Sequence, residues 1–112
     1  MSSTLFTPYK LGPVTLRNRT IRSAAFESMG KDFGPTRQLK DYHVAVARGG
    51  VGMTTLAYAA VCRSGLSFNK QLWLRPEIVP GLREITDAVH REGAAAAIQI
   101  GHCGNCLLYT SD

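Results

Sequence analysis

The sequence has no long apolar run and no basic segment at its start. A helix that crosses a membrane needs about 20 mostly apolar residues in succession, and a secretory signal begins with a basic region that leads into an apolar one. Neither pattern occurs in the 112 residues. We therefore expect a cytoplasmic protein that does not bind a membrane.

Cysteine is scarce, with three residues in the chain, Cys62, Cys103 and Cys106. An odd number of cysteines without a secretion signal favours free thiols in a reducing compartment over a disulfide framework. Cys103 and Cys106 have the C-x-x-C spacing of a redox dithiol or of half a zinc site. No second pair of cysteines or histidines at ligand spacing completes such a site, so no metal is predicted, and a small redox or metal-binding module stays the alternative.

Concentrated positive charge is also missing. The net charge of +5 comes from 13 basic and 8 acidic residues, but the basic ones are spread from Lys10 to Arg91. The densest group, Arg17, Arg19 and Arg22, lacks the interleaved aromatic residues of a nucleic-acid platform. We predict a structural or solvated role for these arginines and no nucleic-acid partner.

Strand-like and helix-like segments alternate along the chain. Two helices are indicated by apolar residues at three- and four-residue spacing, and the first has Thr36 as a candidate N-cap and Gly49 and Gly50 as its stop. Short β-branched or apolar runs indicate buried strands. The predicted order is a hairpin at 9–19, strand 20–25, helix 36–48, strand 51–57, helix 76–92 and strand 94–100.

This order predicts the α/β class, because strands separated by helices pair in parallel through right-handed crossovers. The periodicity does not distinguish an open sheet from a barrel. The glycine fingerprint of dinucleotide-binding sheets is absent from Ser23 to Gly34, and no P-loop is present. These absences favour a barrel.

Four separated motifs then carry a resemblance. They are Leu5-Phe6-Thr7-Pro8, Leu16-Arg17-Asn18-Arg19, Arg48-Gly49-Gly50-Val51-Gly52, and Ile98-Gln99-Ile100-Gly101-His102 with Gly104. Together, in this order, they resemble the N-terminal part of old yellow enzyme family flavoproteins, the NADH:flavin oxidoreductases. The resemblance runs from about Leu5 to Asn105.

The resemblance implies the N-terminal part of a (β/α)8 TIM barrel, with the hairpin, three strands and two helices present. Such barrels run to about 250 residues. Residues 1–105 are then the N-terminal portion of an FMN-binding barrel. Residues 106–112 resemble a translated sequencing-adapter tail, and we expect them to be non-native or truncated, which would remove Cys106 from the natural protein.

The C-terminal ends of barrel strands carry the chemistry in this fold. By resemblance, the FMN contacts expected on this chain are Ser23, Ala24, Ala25, Tyr58 and Gln99. The Gln99 amide offers donors and acceptors that match a flavin edge, although a polar core residue is the alternative. The small residues 23–25 either admit the flavin ring or simply pack. Tyr58 stands where, by resemblance, the backbone of the second strand meets the cofactor, and its side chain is expected to point into the helix layer.

One residue departs from the family pattern. The family often places a hydroxyl, a thiol or another small residue where Phe26 stands, within reach of a flavin carbonyl oxygen. Phe26 donates no hydrogen bond, so we expect either that the flavin potential is tuned differently or that the ring tilts away to stack near the substrate.

The histidines are not expected to be catalytic. His43 and His90 lie in predicted helices and are expected at surface or interface positions, and His102 is expected to support its loop. The family's substrate-binding and proton-donating residues come from later strands, so the catalytic residues are unknown here.

The function implied by the resemblance is hydride transfer from NADH or NADPH, through FMN, to an alkene conjugated to a carbonyl in a small-molecule substrate. Demethylation or dienoyl reduction with further cofactors is a rival within the same lineage. The 112-residue piece alone is expected neither to hold FMN tightly nor to turn over.

Overall fold

The chain begins with an antiparallel hairpin. The structure is a computed structural model and describes residues 4–104. A 3-10 turn at Thr4–Phe6 leads to β1 (Tyr9–Leu11), which pairs with β2 (Val14–Leu16). Gly12 stands in the turn with a φ of 58°, a left-handed conformation that glycine adopts without steric cost. The predicted hairpin is confirmed.

A parallel sheet with two helices follows. Strand β4 forms parallel pairs with β3, β5 and β6. This confirms the α/β class and the pairing of the first two predicted buried strands. The elements are β3 (Ile21–Arg22), α1 (Arg37–Arg48), β4 (Met53–Ala60), β5 (Leu72–Trp73), α2 (Val79–Arg91) and β6 (Ala95–Gly101).

Three boundaries differ from the sequence predictions. Strand β3 has two residues rather than six, because the chain leaves the ladder after Arg22. Strand β4 continues to Ala60, where β5 and β6 both pair with it. Strand β5 was not predicted, since its two residues lie in a segment without periodicity and pair only through a long-range contact.

Helix α1 begins as its sequence predicts. Thr36 has extended backbone dihedrals, and its hydroxyl oxygen accepts the Leu39 amide at 3.1 Å. This satisfies one of the amide groups that the first turn of a helix leaves without a partner. The same hydroxyl donates to the Met29 carbonyl, so the cap also fixes the preceding loop.

The core lies between the helices and β4. Leu39 and Ala47 from α1 meet Ile85 and Val89 from α2 over Leu56 of β4. Burial of these apolar side chains is the main force that holds helices against a sheet. Across residues 4–104, the longest helix is too short to span a bilayer.

Arg17 fastens the hairpin to the ends of both helices. Its Nη1 donates to the Glu92 carbonyl at 2.7 Å, its Nη2 donates to the Ala47 carbonyl, and its Nε donates to the Val51 carbonyl at 3.1 Å. Guanidinium donors stabilise helix C-termini because carbonyl groups there lack intrahelical partners. A structural role is thereby confirmed for this arginine.

Candidate active site

The C-terminal ends of β3, β4 and β6 lie at one edge of the sheet. Ile21 pairs with Met53 and Arg22 with Thr54, while Leu56 pairs with Ile98 on the opposite side of β4. All these pairs are parallel, so the residues that follow β3 and the last residues of β4 and β6 share the same edge. The TIM-barrel fold places its chemistry at this edge.

A bulge in β4 faces Gln99. The pairing steps from Leu56–Ile98 to Ala59–Ile100, so two β4 residues, Ala57 and Tyr58, oppose the single residue Gln99. Such bulges redirect side chains and are frequent beside active sites. The Gln99 side chain is exposed and forms no hydrogen bond with any other residue of 4–104. Its amide is therefore available to a ligand.

Ser23, Ala24 and Ala25 follow directly after β3. They have no regular secondary structure, and Ser23 and Ala25 are exposed while Ala24 is half-buried. A flat ring approaches a backbone closely only where the side chains are small. Because they follow β3, these three residues lie at the same sheet edge as Tyr58 and Gln99.

Tyr58 contacts the loop after β4 rather than the helix layer. Its hydroxyl lies 3.0 Å from the Ser67 hydroxyl, and its ring packs edge-on against Phe68 with centroids 5.7 Å apart. Phe68 also packs against Phe26 at 4.7 Å. These three rings form an aromatic cluster, in which the Phe26 side chain remains 67% exposed.

Gln71 ties this loop together from inside. Its Oε1 accepts the Ser67 amide at 2.7 Å and the Ser67 hydroxyl at 3.1 Å. Its buried Nε2 has no hydrogen-bond partner among residues 4–104. The buried Gln71 side chain thus stabilises the loop that carries Phe68 through its two hydrogen bonds with Ser67.

A buried charged network lies below the strand ends, and the sequence analysis missed it. The Glu27 side chain is 2% exposed, and its Oε2 lies 2.7 Å both from Arg22 Nη1 and from His43 Nε2. His43 Nδ1 lies 2.8 Å from the Thr54 hydroxyl. We expected His43 at the surface or at an interface. The surface position is wrong, because this side chain is fully buried, and it lies between α1 and β4.

His102 supports its loop, as predicted. Its Nε2 lies 3.2 Å from the Ser64 hydroxyl, and its Nδ1 accepts the Gly104 amide at 2.9 Å. The ring packs so closely on Gly65 that a Cβ at that position would lie 2.7 Å from it.

Of the C-x-x-C pair, Cys103 is half-buried, whereas Cys106 and the rest of the 106–112 tail lie outside the described residues. Within residues 4–104, no group of three or more His, Cys, Asp or Glu side chains is arranged to hold a metal ion.

Comparison with known proteins identifies the family. The family model for the NADH:flavin oxidoreductase / NADH oxidase family matches residues 4–110. The chain belongs to this family. Its solved structural neighbours include old yellow enzyme homologues, which confirms the resemblance and the partial TIM barrel. The family's enzymes are oxidoreductases that use FMN with NADH or NADPH.

Three similar proteins illustrate the range of the family. The 4,4'-dithiodibutanoate disulfide reductase of Rhodococcus erythropolis is 48% identical over 100 residues, which are 89% of this chain and 25% of that protein. A probable N-methylproline demethylase of Rhizobium meliloti (strain 1021) is 48% identical over 102 residues, 89% of this chain and 15% of that protein. A 2-naphthoyl-CoA reductase structure superposes with a TM-score of 0.87 and 24% identity over 96% of this chain and 17% of that one.

The chain spans a quarter or less of the length of these relatives. The strand ends described above fit one edge of a flavin: small residues beside an unpaired backbone, and an exposed amide without a partner inside the described range. Residues that would hold the rest of an FMN molecule are not among them.

Proposed function

We propose that this chain is the N-terminal portion, residues 1–105, of an FMN-dependent NAD(P)H oxidoreductase that reduces alkenes conjugated to a carbonyl. The observation that carries the proposal is the register of the sheet, which brings residues 23–25, Tyr58 and Gln99 to one edge. Family membership supports the same cofactor. The tail at 106–112 is proposed to be non-native.

Each of these residues has a distinct task in the proposed site. The backbone of Ser23–Ala25 hydrogen-bonds the flavin edge, since small side chains leave its N–H and C=O groups accessible. Gln99 orients the ring through its amide, and the Tyr58 backbone borders the ring at the bulge. When bound, FMN supplies the hydride chemistry, and the protein positions the flavin and excludes competing reactions.

The acceptor is the finer part of the proposal. Relatives with 48% identity carry the names of a disulfide reductase and a demethylase, so this segment is compatible with more than one kind of substrate. We propose an activated alkene because the motifs resemble the ene-reducing family. Residues that polarise a substrate carbonyl come from later strands in that family, so the acceptor is chosen outside this chain.

The test uses the full-length protein obtained by extending the gene beyond the codon for Asn105. We expect one FMN per chain, bleaching of the flavin absorbance by NADH or NADPH without oxygen, and faster reoxidation of the reduced flavin by 2-cyclohexenone than by a linear disulfide. A reduced flavin that reacts with the disulfide alone would overturn the alkene proposal, and a full-length protein without FMN affinity would overturn the flavin proposal.

Gln99 provides a variant-level test. Gln99→Ala is expected to weaken FMN binding about tenfold, as expected when roughly 1.4 kcal/mol of ligand hydrogen bonding is lost. Gln38→Ala is the matched control, because Gln38 is an exposed glutamine on α1. Equal affinities for the two variants would remove Gln99 from the site.

The alternative, a stand-alone module that uses Cys103 and Cys106, makes the opposite prediction for the 112-residue chain. It predicts cooperative melting and a response to zinc or to thiol oxidants. Our proposal predicts self-association without tight FMN binding, because Ile98 and Ile100 on β6 are exposed and a strand edge remains open. Sedimentation and an FMN titration of the isolated chain distinguish the two.

A further inference from the structure

We propose that Glu27 is a positioning residue for the flavin site, whose carboxylate fixes the β4 bulge and keeps the segment that follows β3 from pairing with β4. The inference rests on the proposed function. It concerns a buried side chain that contacts the bulge at Ala57 but is not among the residues expected to touch the ligand.

The first step is the arrangement along one edge of β4. Strand β6 pairs with β4 on one side, so β3 and β5 must both lie on the other side. Strand β3 pairs as far as Thr54, and β5 pairs with Ala59 and Ala60. Between these two ladders, neither β3 nor β5 pairs with the β4 backbone.

The second step is what fills this gap. The Thr55 carbonyl accepts Arg22 Nη1 at 2.7 Å, and the Ala57 amide donates to Glu27 Oε1 at 3.1 Å. Two side chains therefore replace the backbone of a neighbouring strand at the place where the bulge begins. Ala57 is buried, and a buried amide without a partner is strongly unfavourable, so this backbone geometry depends on an acceptor at the Glu27 position.

The third step is how the carboxylate itself is held. Its second oxygen, Oε2, accepts Arg22 Nη1 at 2.7 Å and contacts His43 Nε2 on α1. Arg22 Nη2 in turn donates to the Tyr42 hydroxyl at 3.2 Å. Buried charges persist only where they are paired and hydrogen-bonded. Hydrogen bonds from Arg22 on β3 and Ala57 on β4, with His43 of α1 packed against Oε2, thus restrict Glu27 to one position.

The consequence lies in the segment between Arg22 and Glu27. Both of its ends are tied to β4 by side chains, so Ser23–Ala25 bows away from β4 instead of continuing the ladder. Its backbone groups remain available for a ligand, while the bulge opposite Gln99 keeps its shape. Glu27 acts on the flavin through these backbone segments rather than by contact.

The experiment separates the charge of Glu27 from its reach. In the full-length protein, Glu27→Asp keeps the charge but is one methylene shorter, so it loses the Ala57 amide. Glu27→Gln keeps a carbonyl oxygen at that distance but loses the charge. Glu84→Asp is the matched control, because Glu84 pairs with Lys40 at the exposed surface.

We expect the FMN dissociation constant to rise about tenfold or more in Glu27→Asp, as for other residues that orient the groups contacting a ligand. The FMN dissociation constant of Glu27→Gln, measured below the melting temperature of this variant, should stay within about threefold of the wild-type value. The reason is that its amide oxygen still accepts the Ala57 amide. Glu84→Asp should bind like the wild type. Hydrogen exchange of the Ala57 amide should be faster in Glu27→Asp than in Glu27→Gln.

Wild-type affinity in Glu27→Asp would overturn the inference, and so would an equal loss in both Glu27 variants, because the reach of the side chain to the Ala57 amide would then not decide the affinity. If one variant fails to fold, its apo-protein loses helical circular dichroism. The exchange rate of the Ala57 amide in the variant that folds is then compared with the wild-type rate. If Glu27→Gln is the folded variant, exchange faster than in the wild type overturns the inference. If Glu27→Asp is the folded variant, exchange at the wild-type rate overturns it. A wild-type protein without FMN affinity would instead contradict the proposed function.

Discussion

The Arg17 Nη1 atom donates to the Glu92 carbonyl oxygen at 2.7 Å and joins the segment after the hairpin to the end of α2. The same guanidinium also bonds carbonyls at the end of α1 and just before β4. One side chain therefore satisfies three backbone acceptors from different elements. This contact therefore helps to hold the hairpin to the sheet, together with the buried Leu16 side chain and the hydrogen bond from Asn18 Nδ2 to the Gly50 carbonyl, while the other residues of the two hairpin strands are exposed.

Removal of this guanidinium should loosen the whole N-terminal side of the barrel. Arg17→Met keeps much of the aliphatic stem and removes all three donors, and we expect it to lower the free energy of unfolding of the full-length protein by about 2 kcal/mol. Arg19→Met is the control, because Arg19 makes one longer side-chain hydrogen bond of 3.3 Å to Thr7. Urea unfolding compares the two variants. An equal loss of unfolding free energy would contradict this role of the three Arg17 hydrogen bonds, which we call the Arg17 clamp.

Gly93 lies against the Arg17 side chain and provides a second test of the Arg17 clamp. Its φ is 89°, and a Cβ there would lie 2.5 Å from Arg17 Nη1. Gly93→Ala should therefore cost backbone strain of about 1–2 kcal/mol and displace the clamp as well. Gly50→Ala isolates the strain, since Gly50 has a φ of 109° and open space around its Cβ position. Thermal melting should place Gly93→Ala below Gly50→Ala, and the reverse order would contradict the contact.

The sequence predicts those elements whose signals are local. Helix α1 carries its N-cap at Thr36 and its apolar stripe within one segment, and the hairpin carries its turn at Gly12, so both were predicted close to their observed bounds. The shared edge of residues 23–25, Tyr58 and Gln99 follows from parallel pairing together with the resemblance. Their contacts with FMN stay a prediction.

The buried network could not be predicted because its contacts are distant in sequence. Glu27 reaches Ala57 across 30 residues, and Arg22 reaches Thr55 across 33. A lone histidine at a helical position gives no sign of burial, so the complete burial of His43 was not predicted. The one available signal was Glu27 itself, a charged residue that closely follows a short strand in a run of small and apolar residues.

The ion pair between Arg48 and Glu92 predicts a pH effect at the helix ends. Hydrogen bonding and charge from Arg48 hold the pKa of Glu92 below its ordinary value of 4.5. A carboxyl with a lowered folded-state pKa stabilises the fold above its unfolded pKa, and this contribution is lost as the pH falls through the folded pKa. Arg48→Met should raise the Glu92 pKa toward 4.5.

Carbon-13 NMR of the glutamate carboxyls during an acid titration measures this shift. Glu84 is the internal control, because Lys40 lowers its pKa by the same kind of contact and Arg48 is not among the causes. We expect Glu84 to titrate unchanged in Arg48→Met. An unchanged Glu92 pKa would show that the ion pair is not populated in solution.

Phe26 predicts an altered flavin potential. The family often has a hydroxyl or thiol donor at this position, whereas Phe26 packs against Phe68 and donates nothing. A donor to a flavin carbonyl oxygen stabilises the reduced flavin, which carries more negative charge. Phe26→Thr and Phe26→Val have nearly the same shape and differ by one hydroxyl. We expect the threonine variant to have the more positive midpoint potential by about 10–30 mV, as a net hydrogen bond of 0.5–1.5 kcal/mol gives for two electrons.

The comparison is made on full-length holoprotein by dye-equilibrated reduction without oxygen. Both variants lose the Phe26–Phe68 contact, so a change shared by the two reports the aromatic cluster, and the difference between them reports the hydroxyl alone. Identical potentials would mean that residue 26 does not face the flavin carbonyl.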